Sequence, residues 1–290
     1  MSISLGILFG LISMLGYGLA NAISKIPAQN IGIRKTIFFR NVFVSMILLI
    51  ISLFYLKEIN FSLKYILIAF AISFLGYVPL ISFYKALKSG KVGIVAPIAN
   101  SSAIYIILFS IVFFKETLTQ SQLFSILLVL FGTILISINF NDFKNSYLFQ
   151  ASSGIPFALI ASFLWGLVYF LFKIPVNVLG PILTSFIIEF GIAILCGMHL
   201  KLSKSDFKIP DKKNLTYIFF IAVFIAAGTL FYNLGISTYE VSIVAALAFA
   251  SPLVTVIYSK FAYKEKLSLL QYLAVLLILA GVVLINYNTA

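Results

Sequence analysis

The sequence predicts an all-α membrane protein of ten transmembrane helices, arranged as an inverted repeat of two five-helix units. Three observations carry that prediction. Of 290 residues, 62% are hydrophobic and only 10% are charged, with 30 Phe and a mean hydropathy of +1.14. A soluble domain runs about 25% charged and has too little interior to hide so much apolar surface. The apolar residues gather into ten runs near the length, about 20 residues, that a helix needs to cross a hydrocarbon core of about 30 Å. Finally, the chain repeats its own pattern at a spacing of 148 to 149 residues.

In chain order, the first span covers 3–24. The stretch 1–24, MSISLGILFGLISMLGYGLANAIS, has no basic leader and outruns a signal-peptide core, so the span reads as a retained helix. Gly6 and Gly10 within it have the small-xxx-small spacing that lets helices approach closely. The remaining spans read as 36–56, 64–87, 93–113, 121–139, 154–174, 179–199, 215–235, 242–260 and 269–287. Lys25 and Lys173 close spans 1 and 6 and stand two residues before a Pro, a pattern of snorkelling plus helix termination. Pro79, Pro97 and Pro252 interrupt or open spans 3, 4 and 9, where freed carbonyls or hinges are expected. The polar connector 141–153 separates a first repeat, residues 1–140, from a second, residues 154–290.

The repeat is plainest in two polar stretches, KETLTQSQ at 115–122 and KEKLSLLQ at 264–271. At an offset of 149, Lys115, Glu116, Leu118, Gln122 and Gly132 meet Lys264, Glu265, Leu267, Gln271 and Gly281. At 148, Tyr17-Gly18 meets Trp165-Gly166, and Phe83-Tyr84 meets Phe231-Tyr232. Thr119 to Gln122 and Ser268 to Gln271 both read as capping boxes that satisfy backbone N–H groups where a helix leaves water. The Lys-Glu pair before each box is expected to stay hydrated at the interface. Because five spans is an odd number, the second unit enters the membrane from the opposite side. Many secondary transporters are built this way, with a site at the repeat interface near mid-membrane.

The charges and special residues exclude several classes. The net charge of +12 is dispersed over short connectors, with no basic run able to track a phosphate backbone, so no nucleic acid is expected. Cys196 alone allows no internal disulfide, and His199 alone excludes multi-His metal patterns, so no cofactor or metal is called for. An intramembrane enzyme would need catalytic groups close together, and the spans hold one acid and one peripheral His. Connectors after the odd-numbered spans carry fourteen Lys and Arg, against Lys57, Lys64, Lys115 and Lys173 on the other side. Positive-inside counting therefore puts both termini outside.

The aromatic-Gly pairs in spans 1 and 6, the Phe-Tyr pairs ending spans 3 and 8, and the two tails FFKETLTQSQLFSILLVLFGTILIS and FAYKEKLSLLQYLAVLLILAGVVLIN resemble the drug/metabolite transporter superfamily, in its ten-helix EamA-type branch. The resemblance runs along essentially the whole chain. It implies a carrier of small metabolites, often amino acids and often moved outward, around a central cavity. It also implies termini in the cytoplasm, opposite to the charge count. The expected setting is the plasma membrane of a prokaryote, with lipid and a small-molecule substrate as partners and the fused chain acting as a monomer.

Within the spans, Glu189 is the one acidic residue at mid-span, and a membrane carboxylate is a functional group by default. It is the candidate for ion coupling; if it only packs, an uncoupled facilitator is the alternative. At an offset of 149 its counterpart is Arg40, and the two charges suit the two ends of a zwitterion. Tyr17 and Asn21 share a helical face, as do Trp165 and Tyr169 in the matching span. With Tyr84, Asn100, Tyr232 and Asn233 they supply the aromatic walls and hydrogen-bonding groups of a candidate substrate site.

Overall fold

The computed structural model describes residues 4–55, 60–89, 95, 98–138, 154–204, 207–262, 264 and 267–287, with the backbone alone at 25, 84, 87 and 88. The connector 141–153 lies outside these residues. The first repeat comprises α1 (Leu5–Ile31), α2 (Ile33–Phe54), α3 (Leu63–Ser89), α4 (Ser102–Phe113) and α5 (Gln120–Ser137). In the second, α6 (Ile155–Leu171) and α7 (Lys173–Leu179) form span 6, α8 (Pro181–Leu202) is span 7 and α9 (Lys212–Thr238) is span 8. Span 9 is split into α10 (Val241–Ala248) and α11 (Pro252–Ala262), and α12 (Leu269–Tyr287) is span 10. Among the described residues, nine segments are long and apolar enough to cross a membrane, and span 4, Ile98–Phe113, is a shorter apolar helix.

The helix pairings are unchanged when the two repeats are exchanged. Span 1 packs on span 8 as span 6 packs on span 3, and span 1 meets span 9 as span 6 meets span 4. Corresponding spans 5 and 10 also pack on each other, and they run antiparallel, as an inverted repeat requires. A methyl group at Gly132 would lie 3.0 Å from Ala274 O, and one at Gly281 would lie 2.8 Å from Ser125 O. Those are the same contact made from each side. Polar side chains add links between helices: Ser13 Oγ donates to Gly228 O (2.8 Å) and Thr255 Oγ1 to Gly18 O (3.0 Å).

The two polar octapeptides open on the same backbone conformation. Lys115 and Lys264 both adopt left-handed conformations, with φ of 55° and 56°, ahead of the capping boxes at Thr119 and Ser268. Glu116, however, is not left in water. It reaches from the first repeat to the start of span 9, accepting from Val241 N (2.7 Å), Ser242 N (3.0 Å) and Ser242 Oγ (2.6 Å). A carboxylate there satisfies two orphan N–H groups and faces the positive end of the helix dipole.

Two expectations about prolines are corrected. Helix α1 continues through Lys25 and Pro27 to Ile31, and span 6 continues past Lys173 to Leu179. Pro27 sits four residues before the helix end, so it removes only one late hydrogen bond. At span 6 a turn at Phe172 starts the chain afresh, and Pro175 falls in the first turn of α7, where its missing N–H has no role. Lys173 does not snorkel outward: Nζ donates to the carbonyls of Ile236 and Tyr239, near the end of α9. Pro79 lies inside the unbroken α3, whereas Pro252 opens α11 after the break in span 9.

Candidate functional site

A chain of hydrogen bonds crosses the centre of the molecule, built from spans 1, 2, 6, 7 and 8. Its hub is Glu189, in the middle of α8. Oε2 accepts from Asn41 Nδ2 (2.8 Å) and Oε1 from Thr229 Oγ1 (2.7 Å). Asn41 Oδ1 in turn accepts from Arg40 Nε (3.0 Å) and Nη2 (2.7 Å), so the guanidinium reaches the carboxylate through an amide. On the other side, Tyr17 Oη donates to Thr229 Oγ1 (3.4 Å) and Tyr169 Oη to Tyr17 Oη (3.3 Å). Tyr232 Oη ends the chain on the Tyr169 carbonyl (3.2 Å). Asn233 lies one turn along α9 from Thr229 and bonds Ser185 Oγ (2.8 Å), one turn back from Glu189.

Burial makes these bonds obligatory. Asn41 is 0% exposed, Thr229 1% and Glu189 6%, and a charge or amide in such a place is costly unless each polar atom has a partner. One atom does not conform. Asn233 Oδ1 is fully buried and accepts no hydrogen bond among the described residues. At the tyrosine end of the chain of bonds, the Tyr169 ring meets Tyr17, Tyr232 and Phe249 edge to face, at centroid distances of 6.1, 5.1 and 4.8 Å. The grooves on the outer surface, along α3 at Leu67 to Val78 and between α1 and α11 at Leu19 and Phe261, are lined by apolar and aromatic side chains away from this cluster.

The internal symmetry places the hub. Gly32 and Gly180 are related by an offset of 148, and each separates two helices with φ near +80° (86° and 80°), a backbone that only glycine adopts readily. They set the register of spans 2 and 7 at 148, not 149. The counterpart of Glu189 is therefore Asn41, and Arg40 is its neighbour. Two corresponding residues that touch each other must lie on the pseudo-twofold axis, so the carboxylate and the amide sit where the repeats meet.

Of the residues singled out in the sequence, Tyr17, Arg40, Tyr169, Glu189 and Tyr232 come together in one chain of bonds, with Asn233 beside it. Asn21 is exposed rather than joined to Tyr17. Trp165 is half-buried and packs on Phe83 at 5.3 Å between ring centres, and Asn100 is half-buried at the start of span 4. The side chain of Tyr84 lies outside the described residues. Sequence reasoning missed Asn41, Thr229 and Ser185. Asn41 was within reach had the Gly32/Gly180 pair been used to set the register, while a lone Thr or Ser in an apolar run carries no such mark.

Nine membrane-length helices and one shorter apolar helix among the described residues, in two exchange-related sets with a polar network on the axis between them, define a multi-pass membrane protein with a polar centre. The chain belongs to the EamA-like transporter family, which it matches over residues 4–138 and 152–287. It is 32% identical over 133 residues to an uncharacterized protein of Methanocaldococcus jannaschii, a stretch that makes up 46% of this chain and 96% of that one. That relative thus has the length of one repeat. An uncharacterized transporter of Archaeoglobus fulgidus is 22% identical over 209 residues, 72% of this chain and 71% of its own. One solved crystal structure superposes with a TM-score of 0.76 at 15% identity, covering 99% of this chain and 98% of its own, a likeness of fold. Family and relatives point to a membrane transporter rather than an enzyme.

Proposed function

We propose that this protein is a secondary transporter that exports small zwitterionic metabolites such as amino acids across the plasma membrane of a prokaryote, working as a monomer. The two five-helix repeats rock about the Asn41–Glu189 axis to open the centre to each side in turn. The observation that carries the reading is the Arg40–Asn41–Glu189 relay. It holds a half-buried guanidinium and a buried carboxylate on either side of a buried amide, at the repeat interface. An α-amino acid carries the complementary pair of charges. Its carboxylate takes the place of the Asn41 oxygen at Arg40, and its ammonium takes the place of the Asn41 and Thr229 donors at Glu189. The unpartnered Asn233 Oδ1 offers one more acceptor for that ammonium, and the rings of Tyr169, Tyr232 and Phe249 wall the side-chain end.

A second reading, an uncoupled facilitator, is favoured by one feature: both oxygens of Glu189 already hold neutral donors, as a packing residue would. The test is counterflow in proteoliposomes preloaded with a panel of amino acids. Exchange of at least one amino acid that falls strongly in Arg40→Gln supports the zwitterion site. Wild-type protein that exchanges sugars or amines but no amino acid removes it.

A further inference from the structure

A second polar line leads away from Glu189 toward the end of the molecule where spans 2, 3 and 7 meet. Cys196 lies seven residues after Glu189 on α8, and Arg34 lies seven residues before Asn41 on α2, so each continues the stripe of the hub residue beside it. From α3, Tyr77 Oη shares a hydrogen bond with His199 Nδ1 at 2.5 Å. Arg34 in the first turn of α2, Lys85 near the end of α3 and His199 in the last turn of α8 stand at this same end, with Lys85 Nζ 5.7 Å from the centre of the Phe157 ring. Arg34 and Lys85 are exposed at the rim, His199 and Arg40 are half-buried, and Cys196 is buried. Cations thus accompany the line from solvent to the relay. Among the described acids outside the hub, Glu116 and Glu240 stand at the opposite end, where spans 8 and 9 join, and Asp211 is held by Asn214.

We propose that this line is the approach path for the anionic end of the substrate: Arg34 and Lys85 draw a carboxylate in at the rim, and Arg40 receives it beside Asn41. The identity of the substrate rests on the amino-acid reading above. The path itself is a property of the cations. Side chains of one sign lining a low-dielectric crevice raise the local concentration of the opposite ion by roughly 10-fold or more.

Cys196, the only cysteine, reports on the path without any substrate. The experiment compares its rates of reaction with two methanethiosulfonates of equal size, one ending in sulfonate and one in ammonium, each normalised to its rate with free cysteine. Wild-type protein is expected to favour the anionic reagent by about tenfold. That preference should fall towards one in Arg34→Gln/Lys85→Gln and survive in Arg34→Lys/Lys85→Arg. Lys260→Gln, which removes a cation held over Tyr272 and Phe261, should keep it. No reaction with either reagent, a preference for the cation, or an equal loss in the Lys260 variant would overturn the proposal. Loss of counterflow with an intact reagent preference would instead remove the amino-acid reading and leave the path standing.

Discussion

Glu116→Gln measures how strongly the first repeat holds the start of span 9. The carboxylate accepts three hydrogen bonds, from Val241 N, Ser242 N and Ser242 Oγ, at 2.7, 3.0 and 2.6 Å. Gln turns its oxygen to the two Ser242 donors and leaves an amide NH2 facing the Val241 N–H. One bond is lost and the other two lose their charge. A hydrogen bond to a charged group contributes about 1.5–3 kcal/mol and a neutral one about 0.5–1.5 kcal/mol. Half-burial favours the lower ends, so the loss is roughly 3–4 kcal/mol. Thr119→Ala provides the comparison, since it removes an exposed capping box within span 5 alone and should cost about 1 kcal/mol. Equilibrium unfolding in a lipid-detergent mixture reads both. A Glu116→Gln loss no larger than that of Thr119→Ala would refute the idea that this side chain braces one repeat against the other.

Asn41→Leu leaves Glu189 Oε2 without a donor and Arg40 without its acceptor, so about 3–5 kcal/mol of destabilisation is expected, read as a loss of the monodisperse folded fraction in detergent. Gly18→Ala and Gly166→Ala each place a methyl 2.4 Å from a neighbour, Val254 Cβ in one case and Tyr105 Cβ in the other. Both should lose about 1–3 kcal/mol in the same unfolding assay, and a neutral result at either would show that the two contacts are not equivalent. Asp211 caps α9, and its hydrogen bond with Asn214 holds its carboxyl below the usual range in the folded state. A depressed folded pKa stabilises above the ordinary value and loses that effect as pH falls through the folded one. The stability difference between wild type and Asp211→Ala should therefore be full at pH 7 and shrink below about pH 4.

The repeat was legible because matched positions do the same mechanical work in both halves. Gly18 and Gly166, or Gly132 and Gly281, survive at fixed spacing since a neighbouring helix passes too close for a side chain. The capping boxes were legible because an S/T-x-x-Q pattern is local. What the sequence hid is non-local. Whether Glu116 meets water or the first turn of span 9 depends on how the repeats dock. The one-residue change of register between spans 3 and 4 hid the Asn41–Glu189 pair, since an offset taken from spans 4 and 5 points to Arg40 instead. Lys-x-Pro read as a helix end because the rule belongs to helices in water. Inside a bundle, carbonyls left by α9 take the Lys173 ammonium and the chain runs on.

We propose that Glu189, on the axis between the repeats, also couples transport to an ion. Its most direct test is amino-acid uptake into proteoliposomes with and without an imposed pH gradient, for wild type and Glu189→Gln. Wild-type uptake should follow the gradient, while the variant, whose amide oxygen still accepts from the substrate ammonium, should lose that response and exchange substrate more weakly. Equal uptake by both proteins, indifferent to the gradient, would contradict it and make Glu189 a packing residue of a facilitator.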